Sequence, residues 1–203
     1  MCIRDRHMAN KIITISREFG SGGRFIGEEV AKKLGMKYYD KDIISQIAEK
    51  LGFSKEYISQ NAELSPKKGL FAYALTGRDT TGKSVEDMVY EAQRKVILEI
   101  AENDSCVIIG RNADYILKDR TDVINIFIHA DMPEKVKRIC RLYNVTETEA
   151  VAMTADIDKR RMTNYRYYTD QKWGMARNYT LTLNSSQLGY DMCEKIIMEC
   201  AQQ

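Results

Sequence analysis

The sequence predicts an α/β protein in which a mostly parallel central sheet is covered by helices on both faces. Short runs rich in β-branched residues alternate along the chain with stretches whose apolar residues recur at helical spacing. A cluster of glycines separates the first strand-like run from the first helical one. This alternation favours crossover connections between parallel strands, which predicts a three-layer architecture. Ligands of such sheets bind at the carboxyl ends of the strands.

Each element is predicted from its own pattern. The strand-like runs are residues 11–16, 38–39, 106–109, 123–128 and 181–183. The helical stretches are residues 25–34, 43–51, 85–100 and 133–143, a long one that starts near Thr146 or Thr148 and passes Arg160, and 190–200. Gly35 is a stop signal for the first helix, Pro133 suits a first helical turn, and either threonine can cap the helix that follows it.

The length of 203 residues favours a single domain with its own core. Residues 1–8 are interpreted as a leader-like or tag-like segment, because the opening MCIRDRH precedes a second methionine and has no apolar region typical of a secretory signal. Residues 9–203 then form the domain. Within it, residues 54–84 are irregular and contain several glycines and hydroxyl groups, which predicts a partly helical excursion.

Composition narrows the expected partners and the compartment. The formal net charge is only +2, so anion binding depends on a local cluster, and nucleic acid is not an expected partner. No apolar run reaches the roughly 18 residues of a membrane helix, so no membrane partner is expected either. The five cysteines form no C-x-x-C pair and are typical of buried small hydrophobic residues in a reducing compartment. We therefore expect a cytoplasmic protein.

The glycine-rich turn Gly20-Ser21-Gly22-Gly23 is the main candidate for a ligand site. It lies between a β-branched strand and the start of a helix, where exposed main-chain N–H groups and the helix dipole favour a phosphate group. Arg17 and Arg24 flank the turn and can add charge-assisted hydrogen bonds. The turn therefore predicts a phosphate-binding loop in which both arginines assist catalysis.

The strict P-loop pattern G-x-x-x-x-G-K-[ST] is absent from this turn. Gly23 occupies the place of the lysine, and the next two residues, Arg24 and Phe25, carry no hydroxyl for Mg²⁺. The stretch GRDTTGKS at residues 77–84 contains a GKS triplet, but no apolar strand precedes it and its spacing is one residue too long. We interpret that stretch as a chance match.

Four segments together resemble the cytidylate kinase-like family of P-loop nucleoside monophosphate kinases. They are ITISREFGSGGRFIGEEVAKKLGMKYYDKDII, VIIGRNADYIL, DIDKRRMTNYRYYTDQKWG and NYTLTLNSSQLG. The resemblance implies a P-loop NTPase-like fold with a helical monophosphate-binding excursion, near residues 54–84, and an arginine-rich lid, near residues 156–177. It also implies transfer of the γ-phosphate of ATP to CMP or dCMP, with Mg²⁺ as the metal.

The resemblance also implies roles for individual positions. Gly20, Ser21, Gly22 and Gly23 would form the phosphate loop, and Asn184 and Ser185, with Ser186, would lie beside the base of ATP. Asp40, Arg111 and Arg166 would bind the acceptor, and Arg160 and Arg161 of the lid would act in catalysis. Three positions depart from the family pattern, namely Gly23 for the lysine, Ile109 for an acid and Asn112 for an aspartate.

Several alternatives remain open at this stage. Without the lysine, the chain could be a nucleotide-binding protein with little or no kinase activity, or a kinase for another small acceptor. Arg111 could be a structural arginine and Asp40 a simple helix cap. The basic stretch around Arg160 could be a solvated helix face, and its neighbouring tyrosines are more often packing groups than base-stacking platforms.

Overall fold

The computed structural model describes residues 11–40 and 85–202, and in this part of the chain five strands form one sheet. The strands are β1 (Ile12–Arg17), β2 (Lys37–Tyr39), β3 (Cys106–Ile109), β4 (Val123–His129) and β5 (Leu181–Asn184). Their order is β2-β3-β1-β4-β5, and all four pairings are parallel. The carboxyl ends of β1, β3 and β4 therefore meet at one edge of the sheet.

Seven helices connect or flank these strands in the described residues. They are α1 (Gly23–Leu34), α2 (Val85–Asn103), α3 (Ala113–Ile116), α4 (Met132–Tyr143), α5 (Glu147–Thr169), α6 (Ser185–Leu188) and α7 (Tyr190–Ala201), with a 3-10 turn at Ala176–Asn178. Within the described residues, the predicted strands and long helices are confirmed to within a few residues, and α5, for which no end was predicted, extends to Thr169. The short α3, α6 and 3-10 turn were not predicted.

Alternate residues of β1 separate the two layers of the core, because successive side chains of a strand point to opposite faces. Ile13 and Ile15 pack in one cluster with residues of α1 and α7. Ile12 packs in a second cluster with residues of α2 and α3. The two clusters lie on opposite faces of the sheet, which confirms the predicted three-layer α/β class.

Local signals act at the predicted helix ends. Thr146, one of the two predicted caps, begins α5 with a capping box in which its side chain accepts from the Glu149 N–H and the Glu149 side chain accepts from the Thr146 N–H. Gly35 ends α1 in the left-handed conformation, with a φ of 65°. Both signals depend on neighbouring residues alone, which is why they could be found in the sequence.

The predicted arginine-rich lid corresponds to two different structures. Residues up to Thr169 belong to the continuous helix α5, whereas the following turn packs against the sheet through Phe127, whose ring contacts Trp173 at 5.2 Å and Tyr179 at 5.1 Å between centroids. The leader at 1–8, the helix expected over 43–51 and the excursion at 54–84 lie outside the described residues. Within the described ranges, no helix is long and apolar enough to cross a membrane.

Candidate active site

A cleft of about 510 Å³ opens at the carboxyl edge of the sheet, beside the glycine-rich turn. Most of the predicted site residues line it: Arg17, Gly20, Gly22, Gly23, Arg24, Asp40, Arg111, Arg160 and Arg161. They come from β1, α1, the end of β2, the end of β3 and α5, so the sheet order brings distant parts of the sequence together. The cleft therefore combines a main-chain loop with an excess of cationic side chains.

The predicted phosphate loop, residues 20–23, is shaped by contacts on its inner side. Gly20 and Gly22 both have a φ of 79°, a conformation that L-residues with side chains rarely adopt. A Cβ atom added to Gly22 would lie 2.6 Å from the ring of Tyr190. The Ser21 hydroxyl points inward and donates to the Glu18 carbonyl oxygen at 2.8 Å. Ser21 thus stabilises the loop through its side chain, and the glycines allow close approach of neighbouring groups.

Arg24 and Asp40 form an ion pair across the cleft. The Arg24 Nη2 donates to Asp40 Oδ2 at 2.5 Å, and Asp40 is buried where β2 ends. In the strict P-loop pattern, the place of Arg24 belongs to the hydroxyl that contacts Mg²⁺. This chain instead places there a guanidinium that is bonded to a carboxylate, and Asp40 positions that guanidinium.

Arg111 is presented to the cleft by a strained turn. Gly110, Arg111 and Asn112 have successive φ values of 69°, 60° and 54°, so two non-glycine residues in a row adopt the left-handed conformation. Such backbone costs about 1 to 3 kcal/mol per residue and is concentrated at functional sites. Arg111 is 5% exposed, and the Asn112 amide donates to Asn164 of α5 at 3.2 Å. The turn therefore holds the Arg111 backbone in place with help from α5.

Charged groups of α4 and α5 hold the first part of the loop. Asp158 Oδ1 accepts the Phe19 N–H at 2.7 Å, and burial raises the pKa of this carboxyl. Lys135, whose side chain is only 7% exposed, lies 2.9 Å from Glu18 and 3.5 Å from Asp158. Arg161 Nη1 donates to the Arg17 carbonyl oxygen at 3.0 Å. These contacts tie α5 directly to the phosphate loop.

A second cavity, of about 320 Å³, lies on the other side of the loop. Gly20, Ser21, Arg138, Ser185 and Ser186 are among its lining residues, and so are Arg141 and Tyr190. Arg138 Nη1 donates to the Tyr190 hydroxyl at 2.5 Å, and this arginine lines both cavities. The loop and this pair together separate the cleft from the second cavity.

Of the predicted ATP-base residues, Ser185 supports the loop and Asn184 caps a helix. The buried Ser185 hydroxyl lies 2.7 Å from the Ser21 carbonyl oxygen and 3.1 Å from that of His129. The Asn184 side chain caps α6 by accepting the Ser186 N–H, and its amide donates to Asp131 at 3.0 Å. Ser185 and Ser186 nevertheless line the second cavity, so two of the three predicted residues lie beside space that a base could fill.

Arg166 does not join the other predicted residues. It is exposed on α5 and is not among the described residues that line the cleft. Its carbonyl oxygen accepts the Asp170 N–H, which ends the helix. A helix of 23 residues turns its side chains through every direction, so a basic run in the sequence does not show which arginines face a cleft.

A buried polar network below the cleft was not found in the sequence. Asp114 in α3 accepts the Tyr165 hydroxyl at 2.7 Å and lies 3.4 Å from the Ser16 hydroxyl. Burial raises the pKa of Asp114 to about 6, although these hydrogen bonds favour its charged form. The network joins β1, α3 and α5. Its only sequence signal is an acid within an apolar helical turn.

Sequence reasoning also missed Lys135, Arg138, Asp158 and Tyr190. Lys135 and Arg138 had a usable signal, because both lie in the helix that follows β4 and therefore near the carboxyl edge of the sheet. The other two are identified only by contacts between residues that are far apart in sequence.

A parallel sheet in this strand order, with a glycine-rich turn leading from β1 into α1, defines a P-loop type of kinase fold. Residues 12–187 match the model of the cytidylate kinase-like family, and the chain belongs to that family. A cytidylate kinase of Archaeoglobus fulgidus is 25% identical over 195 residues, which are 94% of this chain and 94% of that protein. The resemblance seen in the sequence is thereby confirmed.

Solved structures show the same architecture. An uncharacterized protein from Eubacterium ventriosum has a TM-score of 0.75 at 25% identity, with 95% of this chain and 99% of that chain covered. A shikimate kinase from Bacteroides thetaiotaomicron has a TM-score of 0.53 at 15% identity, with 95% and 99% covered. The second likeness shows the fold alone.

Proposed function

We propose that this protein is a cytoplasmic nucleoside monophosphate kinase that transfers the γ-phosphoryl group of ATP to CMP or dCMP. One observation carries the proposal: a single cleft joins the phosphate loop after β1, Arg111 after β3 and the arginines of α5. Family membership and the cytidylate kinase relative support this acceptor class.

The arrangement suits phosphoryl transfer, which depends on positioning and charge neutralisation rather than on covalent catalysis. The loop amides and Arg17 would bind the donor phosphates, and Arg111 would hold the acceptor phosphate. An oxygen of the acceptor phosphate would attack the γ-phosphorus, and ADP would leave. Arg160 and Arg161 would stabilise the negative charge on the transferring group.

Mg²⁺ would be held mainly by the nucleotide. Among the described residues, no group of three or more His, Cys, Asp or Glu side chains is placed to hold a metal ion. Of the carboxylates that line the cleft, Asp40 is paired with Arg24 and Glu18 with Lys135, whereas Glu28 is exposed. This donor set fits an ion that keeps several waters and binds phosphate oxygens. When bound, the metal would neutralise negative charge on the phosphate oxygens.

The missing lysine favours a second candidate, a protein that binds nucleotides but transfers phosphate poorly or not at all. In that case ATP would stabilise the protein against heat, yet no product would form. A third candidate keeps the kinase and changes the acceptor to another nucleotide or a small phosphorylated metabolite. The assay of the first candidate separates it from the other two.

The test is a coupled assay of ADP formation with ATP, Mg²⁺ and each nucleoside monophosphate in turn, at micromolar enzyme. We expect turnover with CMP or dCMP above that with the other acceptors. The Arg111→Met variant should raise KM for the acceptor at least tenfold and leave KM for ATP within about threefold. Absence of turnover with every monophosphate rejects the proposal, and turnover with another acceptor alone rejects the assignment to CMP.

A further inference from the structure

The position that lacks the P-loop lysine also lacks room for it. A Cβ atom added to Gly23 would lie 2.6 Å from Arg17 Cβ, 3.1 Å from Arg17 Cγ and 3.4 Å from Ile128 Cβ. The obstructing atoms belong to the stem of Arg17 next to the backbone. Arg17 is the last residue of β1 and pairs with Ile128 of β4, so the sheet holds this stem in place. The Arg17 stem thus leaves room only for glycine at position 23.

Alignment with the strict pattern shows which residue causes the obstruction. If Gly22 and Gly23 take the places of the G and K in G-x-x-x-x-G-K-[ST], the first glycine of the pattern falls on Arg17. The strict pattern has glycine first and a cation seventh, whereas this chain has a cation first and glycine seventh. Positions 17 and 23 are in contact in this structure. In both the strict pattern and this chain, one of the two positions is a glycine and the other carries a cationic side chain.

We propose that Arg17 supplies the donor-phosphate cation that lysine supplies in the strict pattern, and that Gly23 is the reciprocal change that makes room for it. This inference rests on the proposed function for its catalytic consequence, but its core is a statement about polyphosphate binding. Because the two Cβ positions lie 2.6 Å apart, a side chain from either one starts at the same point of the loop, and Arg17 lines the cleft.

Two other cations near the loop have carboxylate partners. The Arg24 guanidinium is bonded to Asp40, and Lys135 lies between Glu18 and Asp158 and is not among the described residues lining the cleft. The Arg17 main chain is further held by Arg161, which donates to its carbonyl oxygen. A guanidinium also offers a planar fork that can bind two phosphate oxygens.

The experiment measures binding of a non-hydrolysable ATP analogue by calorimetry to the full chain. The variants are Arg17→Met, Arg17→Lys, Arg17→Gly, Gly23→Lys and the double variant Arg17→Gly/Gly23→Lys. We expect Arg17→Met and Arg17→Gly to weaken binding about 10- to 100-fold, as for loss of a charge-assisted hydrogen bond. Arg17→Lys should retain more affinity than Arg17→Met. Gly23→Lys alone should lower Tm by several degrees because of the contact with the Arg17 stem.

The decisive comparison is the double variant against Arg17→Gly. We expect the double variant to bind the analogue at least tenfold more tightly than Arg17→Gly and to recover the Tm lost by Gly23→Lys. A folded double variant that binds no better than Arg17→Gly overturns the proposal. If the double variant does not fold, equal binding by Arg17→Lys and Arg17→Met overturns it.

Binding and turnover measurements together distinguish failure of the proposed function from failure of this inference. A wild-type protein that shows the expected binding pattern, but no turnover with any monophosphate, supports this inference and rejects the kinase activity. Conversely, turnover with CMP that is unchanged in Arg17→Met rejects the inference and keeps the kinase.

Discussion

In its middle, α5 meets the phosphate loop through charged groups, whereas near its C-terminal end it is held by hydroxyl groups around a buried carboxyl. The side chains of Asp158 and Arg161 are 15% and 12% exposed, and their partners include loop main-chain groups and Lys135. Tyr165 and Asp114 are 2% and 3% exposed and bond to each other. The helix thus has one attachment at the edge of the cleft and one inside the core.

Because the two attachments of α5 differ in chemistry, we expect substitutions at each to have different effects. Charged groups beside the cleft interact with any phosphate that enters it, so changing them should alter binding and turnover more than folding. The hydroxyl network is remote from solvent, and an unpaired polar group there costs about 1 to 3 kcal/mol. Changing it should alter stability and its pH dependence.

The largest expected effect is on turnover at the charged attachment. Arg160→Met should lower kcat about 100- to 1,000-fold, because one preorganised charge near the transferring group is lost. Tm should change by only a few degrees. The matched control is Lys159→Met, which removes a positive charge from the preceding position of the same helix, where the side chain is exposed. Steady-state kinetics of both variants is the measurement, and an equal loss in both would show that only the overall charge of the helix acts.

The second-largest expected effect is on the pH dependence of stability, through Asp114 in the buried attachment. The pKa of Asp114 is about 6 in the folded chain and 3.8 in the reference state, so the folded state binds the extra proton between these values. The free energy of unfolding should therefore fall as pH rises from about 4 to about 6, by up to about 3 kcal/mol from this group.

Asp114→Asn keeps an oxygen for the Tyr165 hydroxyl and removes the titrating proton. Urea unfolding of the wild type and of this variant, at several pH values between 4 and 7, measures the difference. We expect the wild type to lose stability relative to the variant as pH rises from about 4 to about 6, with little further change up to pH 7. Parallel pH profiles would contradict the assignment of a raised pKa to Asp114.

The smallest expected effect is on nucleotide affinity at Asp158. Asp158→Asn keeps an acceptor for the Phe19 N–H but removes a negative charge beside the loop. We expect a two- to fivefold tighter Kd for the ATP analogue, because the Asp158 carboxylate repels the phosphate groups. Asp158→Ala also removes the acceptor and should bind the analogue less tightly than Asp158→Asn. If both variants weaken binding equally, the carboxylate supports the loop without opposing phosphate.

Much of the fold could be predicted because the signals were local. β-branched runs indicated β1, β3 and β4, and Gly35 and Thr146 marked helix ends by hydrogen bonds to neighbours along the chain. Short elements such as α3 were missed, since four residues show no periodicity.

Most residues of the candidate site were predicted from the sequence, but the contacts between their side chains were not. Residues after the strands converge because parallel strands place their carboxyl ends at one edge. Arg17, named from the glycine-rich turn, and Asp40 and Arg111, named from the family resemblance, therefore line one cleft. The rule does not say which cation meets which carboxylate. Nor does it say which side of α5 faces the cleft, and Arg166 proved to lie outside it.

Read alone, the chain already indicated where the strands and long helices form and which turn is the candidate phosphate loop, since those signals arise between residues close in sequence. Packing of the folded chain decided that Arg24 bonds Asp40, that Asp158 takes the Phe19 N–H, and that the Arg17 stem fills the space beside Gly23. The physical reason is distance along the chain. Such contacts depend on sheet order and helix rotation, and these are set by burial of the whole core rather than by any one segment.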